Sequence, residues 1–380
     1  MSTAARKLKI AIAAGGTAGH INPALALAEE LSARGHELSF FGQERRLEGS
    51  LVPEAGFDLF NLEVSGLDRS RPWTAVSALV RLARARRQLS KHFAATGVPN
   101  VAVGFGAYVE LALGSWCERH GIPVVLHEQN SVPGLANKLL AGKATRVCLS
   151  FPAARAAFEG KARPEAVRMT GNPIRSSVIA GDRERGRKEI GATNDTVVLL
   201  VFGGSLGARS INECVIANKE ELLAHDQLII VHSSGKDEFE QVQSSLNLTA
   251  EQAKRWQLKS YVNNMGDMLA AADLVLSRSG ASSIAEIAAL AVPSILVPYP
   301  LATEDHQRTN ASLLGDVGAA VIFSDDEMAT DEFRSMLHAL IDDESRRSQM
   351  RQAALSLGQA RAAALLADEV EAAALQTQAS

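Results

Sequence analysis

The feature that most constrains the fold of this chain is a strand, a glycine-rich loop and a helix that occur in this order twice. The first copy runs from an apolar strand at residues 8–14 into the loop GGTAGH at 15–20, and the second runs from a strand at 197–202 into the loop GGSLGA at 203–208. A buried strand that turns tightly into a helix is typical of parallel sheets, in which helices connect successive strands. Because the copies lie in different halves of the chain, the sequence predicts two Rossmann-like parallel-sheet domains of the α/β class that face each other across a cleft.

The length and composition of the chain support two globular domains and exclude several classes of protein. At 380 residues the chain is long for a single domain, and 46% of its residues are hydrophobic. The formal net charge of −4 gives no reason to expect nucleic-acid binding. The three cysteines have no metal-binding spacing and suit a reducing compartment. No apolar run reaches signal-peptide length near residue 1 or the ~20 residues that span a bilayer, so a cytoplasmic protein is expected.

The stretch at residues 271–311 predicts a ligand site. It reads as a buried strand, a turn of small residues, a helix over 282–290 and a second buried strand. Helix N-termini at the carboxyl edge of such a sheet expose N–H groups and a partial positive charge, which suit phosphate. Glu286, one turn into the helix, is placed to accept both hydroxyls of a ribose. The alternative is that Ser283 and Glu286 form a capping box, and the spacing does not decide between the two.

Polar residues directly after buried strands indicate further ligand contacts. His20 falls at the junction of the first glycine-rich loop and its helix, at the sheet edge where α/β proteins bind ligands. A histidine there is suited to act as a general base, although a polar residue that merely starts the helix is the alternative. The sequences HEQN at 127–130 and DHQ at 305–307 also follow predicted strands.

The segment at residues 69–91 has the pattern of a basic amphipathic helix. Apolar surface comes from Trp73, Val76, Leu79, Val80 and Leu82. Positive charge comes from Arg69, Arg71, Arg81, Arg84, Arg86, Arg87 and Lys91. Such helices often lie on anionic membrane surfaces, and the alternative is an ordinary helix with a solvated basic face.

Seven motifs in order along the chain carry a family resemblance. They are GGTAGH at 15–20, GFGAY at 104–108, HEQNSVPGLAN at 127–137, GNPIR at 171–175, GGSLGA at 203–208, RSGASSIAE at 278–286 and DHQ at 305–307. Together they resemble the GT-B glycosyltransferases, and most closely the MurG-type N-acetylglucosaminyltransferases of bacterial cell-wall synthesis. Each motif is weak by itself, but seven in register over most of the chain are specific.

The resemblance implies a defined reaction. N-acetylglucosamine passes from UDP-N-acetylglucosamine to the 4-hydroxyl of the muramoyl sugar of lipid I, an undecaprenyl-diphosphate-linked muramoyl peptide. The product is lipid II, the anomeric carbon is inverted, and neither a bound metal nor another cofactor is required. The chain has no Asp-x-Asp motif, in agreement with that expectation. The resemblance also implies a peripheral protein on the cytoplasmic face of the cell membrane, in contact with an anionic membrane surface.

The resemblance assigns donor binding to residues in the second half of the chain and at the boundary between the two halves. Glu286 is expected to hold the uridine ribose, and the backbone at Val262, after Tyr261, is expected to read the uracil. The remaining donor contacts are divided between diphosphate and sugar. The diphosphate is assigned to Arg175 and Ser205, and the sugar to His306 and Gln307.

The acceptor side is assigned to the first half, with His20 as the general base. The acceptor and the transferred sugar are assigned to Thr17, Ala18, Gly19, His20, Tyr108 and Asn130. Two positions depart from the family pattern, because Ala18 and Ala107 stand where glycine is common. Alanine narrows the backbone freedom of each loop but removes no polar group, so we expect a changed loop shape and retained activity.

The expected domains are an acceptor- and membrane-facing domain at 1–172, a UDP-sugar-binding domain at 173–347, and C-terminal helices at 348–380 that pack back toward the N-terminal domain. Three alternatives remain open at this point. A UDP-N-acetylglucosamine 2-epimerase shares the fold and donor site but has no use for a basic amphipathic surface. A non-catalytic membrane-docking subunit of a glycosyltransferase would leave His20 and Asn130 without a role. A nicotinamide oxidoreductase is disfavoured by the loop spacing, which is GGxxG and not GxGxxG.

Overall fold

The computed structural model describes residues 7–64, 74–204, 207–302, 305–357 and 359–376. The chain forms two compact units, one of Met1–Arg175 with Arg361–Ser380 and the other of Ser176–Ala360. Within the described ranges, no helix is long and apolar enough to cross a membrane.

Each unit is built around one parallel sheet. The strands are β1 (Lys9–Ala13), β2 (Glu37–Gly42), β3 (Leu59–Asn61), β4 (Val101–Gly104), β5 (Val124–Glu128), β6 (Arg146–Leu149), β7 (Val167–Met169), β8 (Val197–Phe202), β9 (Leu228–Ser233), β10 (Trp256–Lys259), β11 (Leu274–Ser277), β12 (Ser294–Leu296) and β13 (Ala320–Ile322). The first sheet has the order β3-β2-β1-β4-β5-β6-β7 and the second has the order β10-β9-β8-β11-β12-β13. In each sheet the strand order reverses beside the first strand, β1 in one sheet and β8 in the other. Open α/β sheets bind ligands at this position.

Helices connect the strands and cover both faces of each sheet. They are α1 (Ala18–Ala33), α2 (Glu48–Glu54), α3 (Thr74–Thr96), α4 (Tyr108–Arg119), α5 (Leu135–Leu140), α6 (Ser176–Ile179), α7 (Arg183–Ile190), α8 (Arg209–Ala217), α9 (Lys219–Leu223), α10 (Phe239–Leu246), α11 (Ala250–Arg255), α12 (Met265–Ala271), α13 (Ala281–Ala289), α14 (His306–Gly315), α15 (Asp331–Asp342), α16 (Glu344–Leu355) and α17 (Ala362–Gln376). The inner strands β5, β8 and β9 are buried except for Val197, and each contains an apolar run, because both faces of each sheet are covered. The predicted pair of parallel α/β domains is confirmed.

The first sheet has an apolar core on each face. On one face, Phe41 and Leu89 pack with Phe93 of α3 and with the residues of α4. On the other face, α1 and α17 share a core, and Leu25 is buried together with Val370. The C-terminal helix thus belongs structurally to the unit formed by the start of the chain.

The end of the chain divides differently from the expectation that residues 348–380 act together. Residues 348–360 group with the second unit, because Met350 of α16 is buried in that unit's core. Only the part from Arg361 onward groups with the first unit. There, Arg34 of α1 pairs with Asp368 at 2.7 Å and with Glu371 at 3.0 Å on α17.

Candidate active site

His20 lies in the first turn of α1, directly after the first glycine-rich loop. Its Nδ1 atom is 3.0 Å from the hydroxyl oxygen of Thr17, the N-cap residue, whose side chain makes no bond to the helix backbone. Ala18 and Gly19 complete this turn and are partly buried. Burial lowers the pKa of His20, and the Glu48 carboxylate has a smaller effect in the opposite direction. The imidazole is therefore neutral near pH 7, and when Nδ1–H donates to Thr17, Nε2 holds the lone pair that takes a proton.

Gly106 allows the loop after β4 to lie against the imidazole of His20. Its φ is +84°, in the left-handed region that favours glycine. A Cβ atom at this position would lie 3.4 Å from His20 Cδ2 and 3.5 Å from His20 Nε2. The same Cβ would lie 3.5 Å from the amide nitrogen of Asn137, on α5. The loops that follow β1, β4 and β5 therefore meet around His20.

The two alanines that replace common family glycines occupy ordinary backbone conformations. Ala18 is the first helical residue of α1, and Ala107 is extended, with φ −85° and ψ 162°, before α4. The left-handed conformations of the two loops fall on Gly16 and Gly106. The changed loop shape expected at the alanines therefore has no cause in backbone strain. Tyr108, the first residue of α4, is 37% exposed and accessible to a ligand.

Two buried glutamates hold the backbone of the loops around His20. Glu48 accepts hydrogen bonds from Gly16 N–H at 3.0 Å and from Gln43 N–H at 3.1 Å. Glu110 accepts a hydrogen bond from Gly106 N–H, while its second oxygen has no partner among the described residues. Burial raises the pKa of Glu110 to about 8. The sequence did not predict either role, because Glu48 meets Gly16 only in the folded chain and no motif marked Glu110 as the partner of Gly106 N–H.

Glu128 holds the loop that contains Asn130. Its two oxygens accept hydrogen bonds from Asn130 N–H at 3.0 Å, Gly134 N–H at 2.9 Å and the Asn137 side-chain amide at 2.8 Å. Burial raises the pKa of Glu128, while these donors act in the opposite direction. Both oxygens are occupied by the loop, so the geometry favours His20 and not Glu128 as the base. Asn130 is partly buried beside this carboxylate.

Arg175 is the last residue of the N-terminal segment of the first unit. Its guanidinium forms an ion pair with Glu29 of α1. The side chain is therefore held within the first unit, and its contact with a donor diphosphate stays a prediction.

Glu286 does not belong to a capping box. The helix α13 begins at Ala281 after the N-cap Gly280, so Ser283 is the third helical residue and Glu286 the sixth. A capping box joins the N-cap residue to the third helical residue, so the capping interpretation is wrong. The Glu286 carboxyl is partly buried, and burial raises its pKa to about 7. It has no hydrogen bond or ion pair with any residue that the structure describes.

The helices that follow β8, β11 and β12 begin without a side-chain cap. Their N-cap residues are Ala208, Gly280 and Asp305, and none of them bonds to a first-turn N–H through its side chain. The first-turn N–H groups are therefore available to an anion. The hydroxyl of Ser282, in the first turn of α13, is also buried without a hydrogen-bond partner among the described residues. Side-chain caps in this unit occur at other helices, at Asp182, Thr249, Thr330 and Asp343.

Two hydrogen bonds join the loop after β11 to the start of α14. The Ser279 hydroxyl donates to the Gln307 carbonyl at 2.8 Å, and the Asn310 amide donates to the Ser279 carbonyl at 3.3 Å. The Gln307 side-chain oxygen accepts Tyr299 N–H at 2.9 Å. These bonds place the partly buried His306 and Gln307 beside the start of α13.

Val262 and Ser205 are the remaining residues that were predicted to bind the sugar donor. Val262 follows β10 and is buried, at 2% exposed, and the contact of its backbone with uracil stays a prediction. β10 lies three strands from β11, or roughly 14 Å at the usual strand spacing. The neighbouring Tyr261 is 48% exposed. Ser205 lies outside the described residues.

Arg278 is a structural residue of this edge that the sequence analysis did not single out. It is buried, and Nη1 donates to the carbonyls of Val297 at 3.1 Å and Pro298 at 3.2 Å. Nη2 donates to the Ser210 hydroxyl at 2.7 Å and to Asp325 at 3.1 Å. One guanidinium therefore joins the ends of β11 and β12 to the start of α8.

Comparison with known proteins identifies the family. The glycosyltransferase family 28 N-terminal domain matches residues 10–149, and the glycosyltransferase family 28 C-terminal domain matches residues 198–369. The UDP-N-acetylglucosamine–N-acetylmuramyl-(pentapeptide) pyrophosphoryl-undecaprenol N-acetylglucosamine transferase of Halothermothrix orenii is 38% identical over 357 residues, which cover 92% of this chain and 95% of the relative. The transferase of the same name from an Exiguobacterium species is 38% identical over 367 residues, which cover 96% of this chain and 99% of the relative.

A solved structure agrees with this assignment. The crystal structure of Acinetobacter baumannii MurG aligns with a TM-score of 0.74 and 26% identity, over 96% of this chain and 99% of that chain. Because both family domains match and the relatives align over nearly their whole length, the chain belongs to glycosyltransferase family 28, in the MurG-type group that its motifs predicted.

Proposed function

We propose that this enzyme transfers N-acetylglucosamine from UDP-N-acetylglucosamine to the 4-hydroxyl of the muramoyl sugar of lipid I. The names of the relatives supply the substrate pair. The observation that carries the proposal is the neutral imidazole of His20, oriented by Thr17 and set against Gly106. A base in this position is needed for transfer to a hydroxyl, since a sugar hydroxyl is a poor nucleophile.

The reaction is a single displacement. The acceptor oxygen attacks the anomeric carbon of the donor sugar as its proton passes to His20 Nε2. The bond between that carbon and the diphosphate oxygen breaks, and its electron pair leaves with UDP. Attack from the face opposite the leaving group inverts the anomeric carbon, so no covalent glycosyl-enzyme forms. Negative charge that develops on UDP is stabilised by helix N-termini without a metal ion.

The donor is held mainly by residues of the second unit. The uncapped starts of α8 and α13 face the diphosphate, and the Ser282 hydroxyl adds a donor beside them. The Glu286 carboxylate accepts the two ribose hydroxyls, and Gln307 contacts the sugar. The Val262 backbone reads the uracil, and Arg175 and Ser205 complete the diphosphate contacts.

The membrane surface is formed by α3. Leu79 is 66% exposed and Val80 is 46% exposed, so two apolar side chains face outward beside the charge of Arg87. Arg86 does not take part, because its guanidinium donates to the Ser115 hydroxyl of α4 at 2.9 Å. The exposed apolar and basic side chains suit a peripheral position on an anionic membrane. Residues 69–73 of the predicted segment lie outside the described residues.

A transfer assay tests the proposed function. The protein is incubated with labelled UDP-N-acetylglucosamine, with and without a short-chain, water-soluble analogue of lipid I. If the protein transfers the sugar, a labelled disaccharide forms only when the acceptor is present. Conversion of the donor to its 2-epimer without acceptor would identify an epimerase, and the absence of both products would refute the proposal.

A further inference from the structure

A cavity of about 460 Å³ lies at the carboxyl edge of the first sheet, beside the ends of β2 and β3. Its volume is in the range of small-molecule sites. The residues that matter for its chemistry are Gln43, Arg45, Asn61, Glu63, Arg81 and Arg84. We refer to it as the arginine cavity.

The arginine cavity has an excess of positive charge. Arg45, Arg81 and Arg84 contribute three guanidinium groups, and Glu63 contributes one carboxylate. Among the described residues, none of the three arginines forms an ion pair or a hydrogen bond. Like charges near one another repel, so an anion between them is favoured. Guanidinium groups bind phosphate oxygens with paired hydrogen bonds, which makes a phosphate group the expected ligand.

The polar wall of the cavity is held in place by hydrogen bonds. The Gln43 side-chain nitrogen donates to the Val64 carbonyl, and its oxygen accepts from Arg46 at 3.1 Å. The Asn61 side-chain oxygen accepts Glu44 N–H at 3.3 Å. The cavity therefore has a built wall on the side opposite α3.

One carboxylate joins this wall to the loop of His20. Glu48 accepts Gln43 N–H with one oxygen, at 3.1 Å, and Gly16 N–H with the other, at 3.0 Å. The cavity wall and the first glycine-rich loop are thus separated by the width of one carboxyl group. The loop that contains His20 and the wall of the arginine cavity are therefore held by the same carboxylate.

The helix α3 carries two arginines of the cavity and exposed apolar residues. Arg81 and Arg84 are three residues apart and share one side of the helix. Val80 lies four residues before Arg84 and is therefore adjacent to it, whereas Leu79 does not face Arg81, and both apolar side chains are exposed. A ligand with a phosphate group and an apolar tail would therefore find charge and apolar surface on the same helix.

We propose that the arginine cavity binds the diphosphate of the lipid-linked acceptor while its muramoyl sugar lies at His20. This inference rests on the proposed function and assigns a subsite to it. Arg45, Arg81 and Arg84 bind the diphosphate oxygens, and the lipid chain leaves along α3. The shared chemistry is a phosphate group, so membrane phospholipid is the competing source.

The test compares two water-soluble acceptors that differ only in the linker to a short lipid chain. One carries the diphosphate and the other an uncharged linker of similar length. The variant is Arg45→Gln/Arg81→Gln/Arg84→Gln, and the matched control is Arg155→Gln, an exposed arginine of the same unit outside the cavity.

We expect the triple variant to raise the KM for the diphosphate acceptor at least tenfold. The KM for the uncharged acceptor and the Kd for UDP-N-acetylglucosamine should stay within twofold of the parent, and Arg155→Gln should change none of the three. Equal effects on both acceptors, or no effect on either, would overturn the proposal. Loss of binding to phosphatidylglycerol vesicles with an unchanged KM for the diphosphate acceptor would assign the cavity to bulk lipid and also overturn it.

Failure of the proposed function gives a separate result. If the parent transfers no sugar to either acceptor, the function is wrong, and direct titration with the diphosphate acceptor still reports on the cavity. Weaker binding of that acceptor to the triple variant, with Arg155→Gln equal to the parent, supports the site. Equal binding to all three proteins refutes it.

Discussion

The predicted role of Glu286 leads to a pH dependence of donor binding that can be worked out from the structure. Its partly buried carboxyl has a pKa raised to about 7 and has no protein partner among the described residues. A ribose presents two hydroxyl donors, which bind the ionised carboxylate and lower its pKa in the complex. Donor binding is therefore coupled to loss of the proton from Glu286.

The size of the effect follows from this linkage. At pH 8 the carboxyl is mostly ionised before binding, whereas at pH 6 about nine-tenths of it must first lose a proton. The cost at pH 6 is about 1.4 kcal/mol, or tenfold in Kd, if the pKa in the complex falls well below 6. UDP-N-acetylglucosamine is the correct probe, because its diphosphate is esterified at both ends and does not titrate in this range.

The assay is isothermal titration at pH 6, 7 and 8 for the parent, Glu286→Gln and the exposed control Glu332→Gln. We expect the affinity of the parent to rise about tenfold from pH 6 to pH 8, as it should for Glu332→Gln. Glu286→Gln cannot ionise and keeps one acceptor oxygen, so its affinity at pH 8 should fall at least ~10-fold and should not change with pH. A pH-independent parent, or a Gln variant that binds like the parent, would refute the ribose role.

Three further predictions concern the first unit. His20→Ala should lower turnover by ~10²–10⁴-fold while the Kd for UDP-N-acetylglucosamine is unchanged, and near-normal turnover would remove His20 from the mechanism. Glu110 has a pKa of about 8 in the folded protein, above its ordinary value of 4.5, so the stability it contributes is complete below about pH 4.5 and is lost as the pH rises through 8. In urea unfolding, the free energy of unfolding of Glu110→Gln should therefore rise by a few kcal/mol relative to that of the parent between pH 5 and pH 8.5. A difference that does not change with pH would contradict the burial argument. Leu79→Ser/Val80→Ser should weaken binding to phosphatidylglycerol vesicles at least tenfold, since burial of these side chains contributes about 2 kcal/mol, and unchanged binding would make α3 an ordinary surface helix.

The architecture of the two sheets was predictable because its signals are local. The apolar run at Val197–Phe202, followed by a glycine-rich loop, specifies a buried parallel strand and the turn into a helix. The division of the C-terminal helices was not predictable, since nothing in the sequences of α16 and α17 shows which sheet each helix packs against. Their assignment depends on which core buries them, Met350 in one unit and Val370 in the other.

The candidate site was predictable only where a residue stands in a motif. His20 and Glu286 lie in glycine-rich or small-residue turns after strands, so their positions could be read from spacing. The capping interpretation of Glu286 failed because spacing does not show where a helix begins, and α13 begins at Ala281 after Gly280. Glu48 was missed because its hydrogen bonds to Gly16 and Gln43 depend on the tertiary fold.

The stereochemistry of the product tests the central claim most directly. The donor sugar is α-linked to UDP, and direct attack by an acceptor hydroxyl that loses its proton to His20 inverts that carbon. Proton NMR of the disaccharide formed from UDP-N-acetylglucosamine and the water-soluble acceptor should show a β-glycosidic linkage from the first turnovers onward. An α-linked product would contradict the single displacement, and with it the role of His20 as the base.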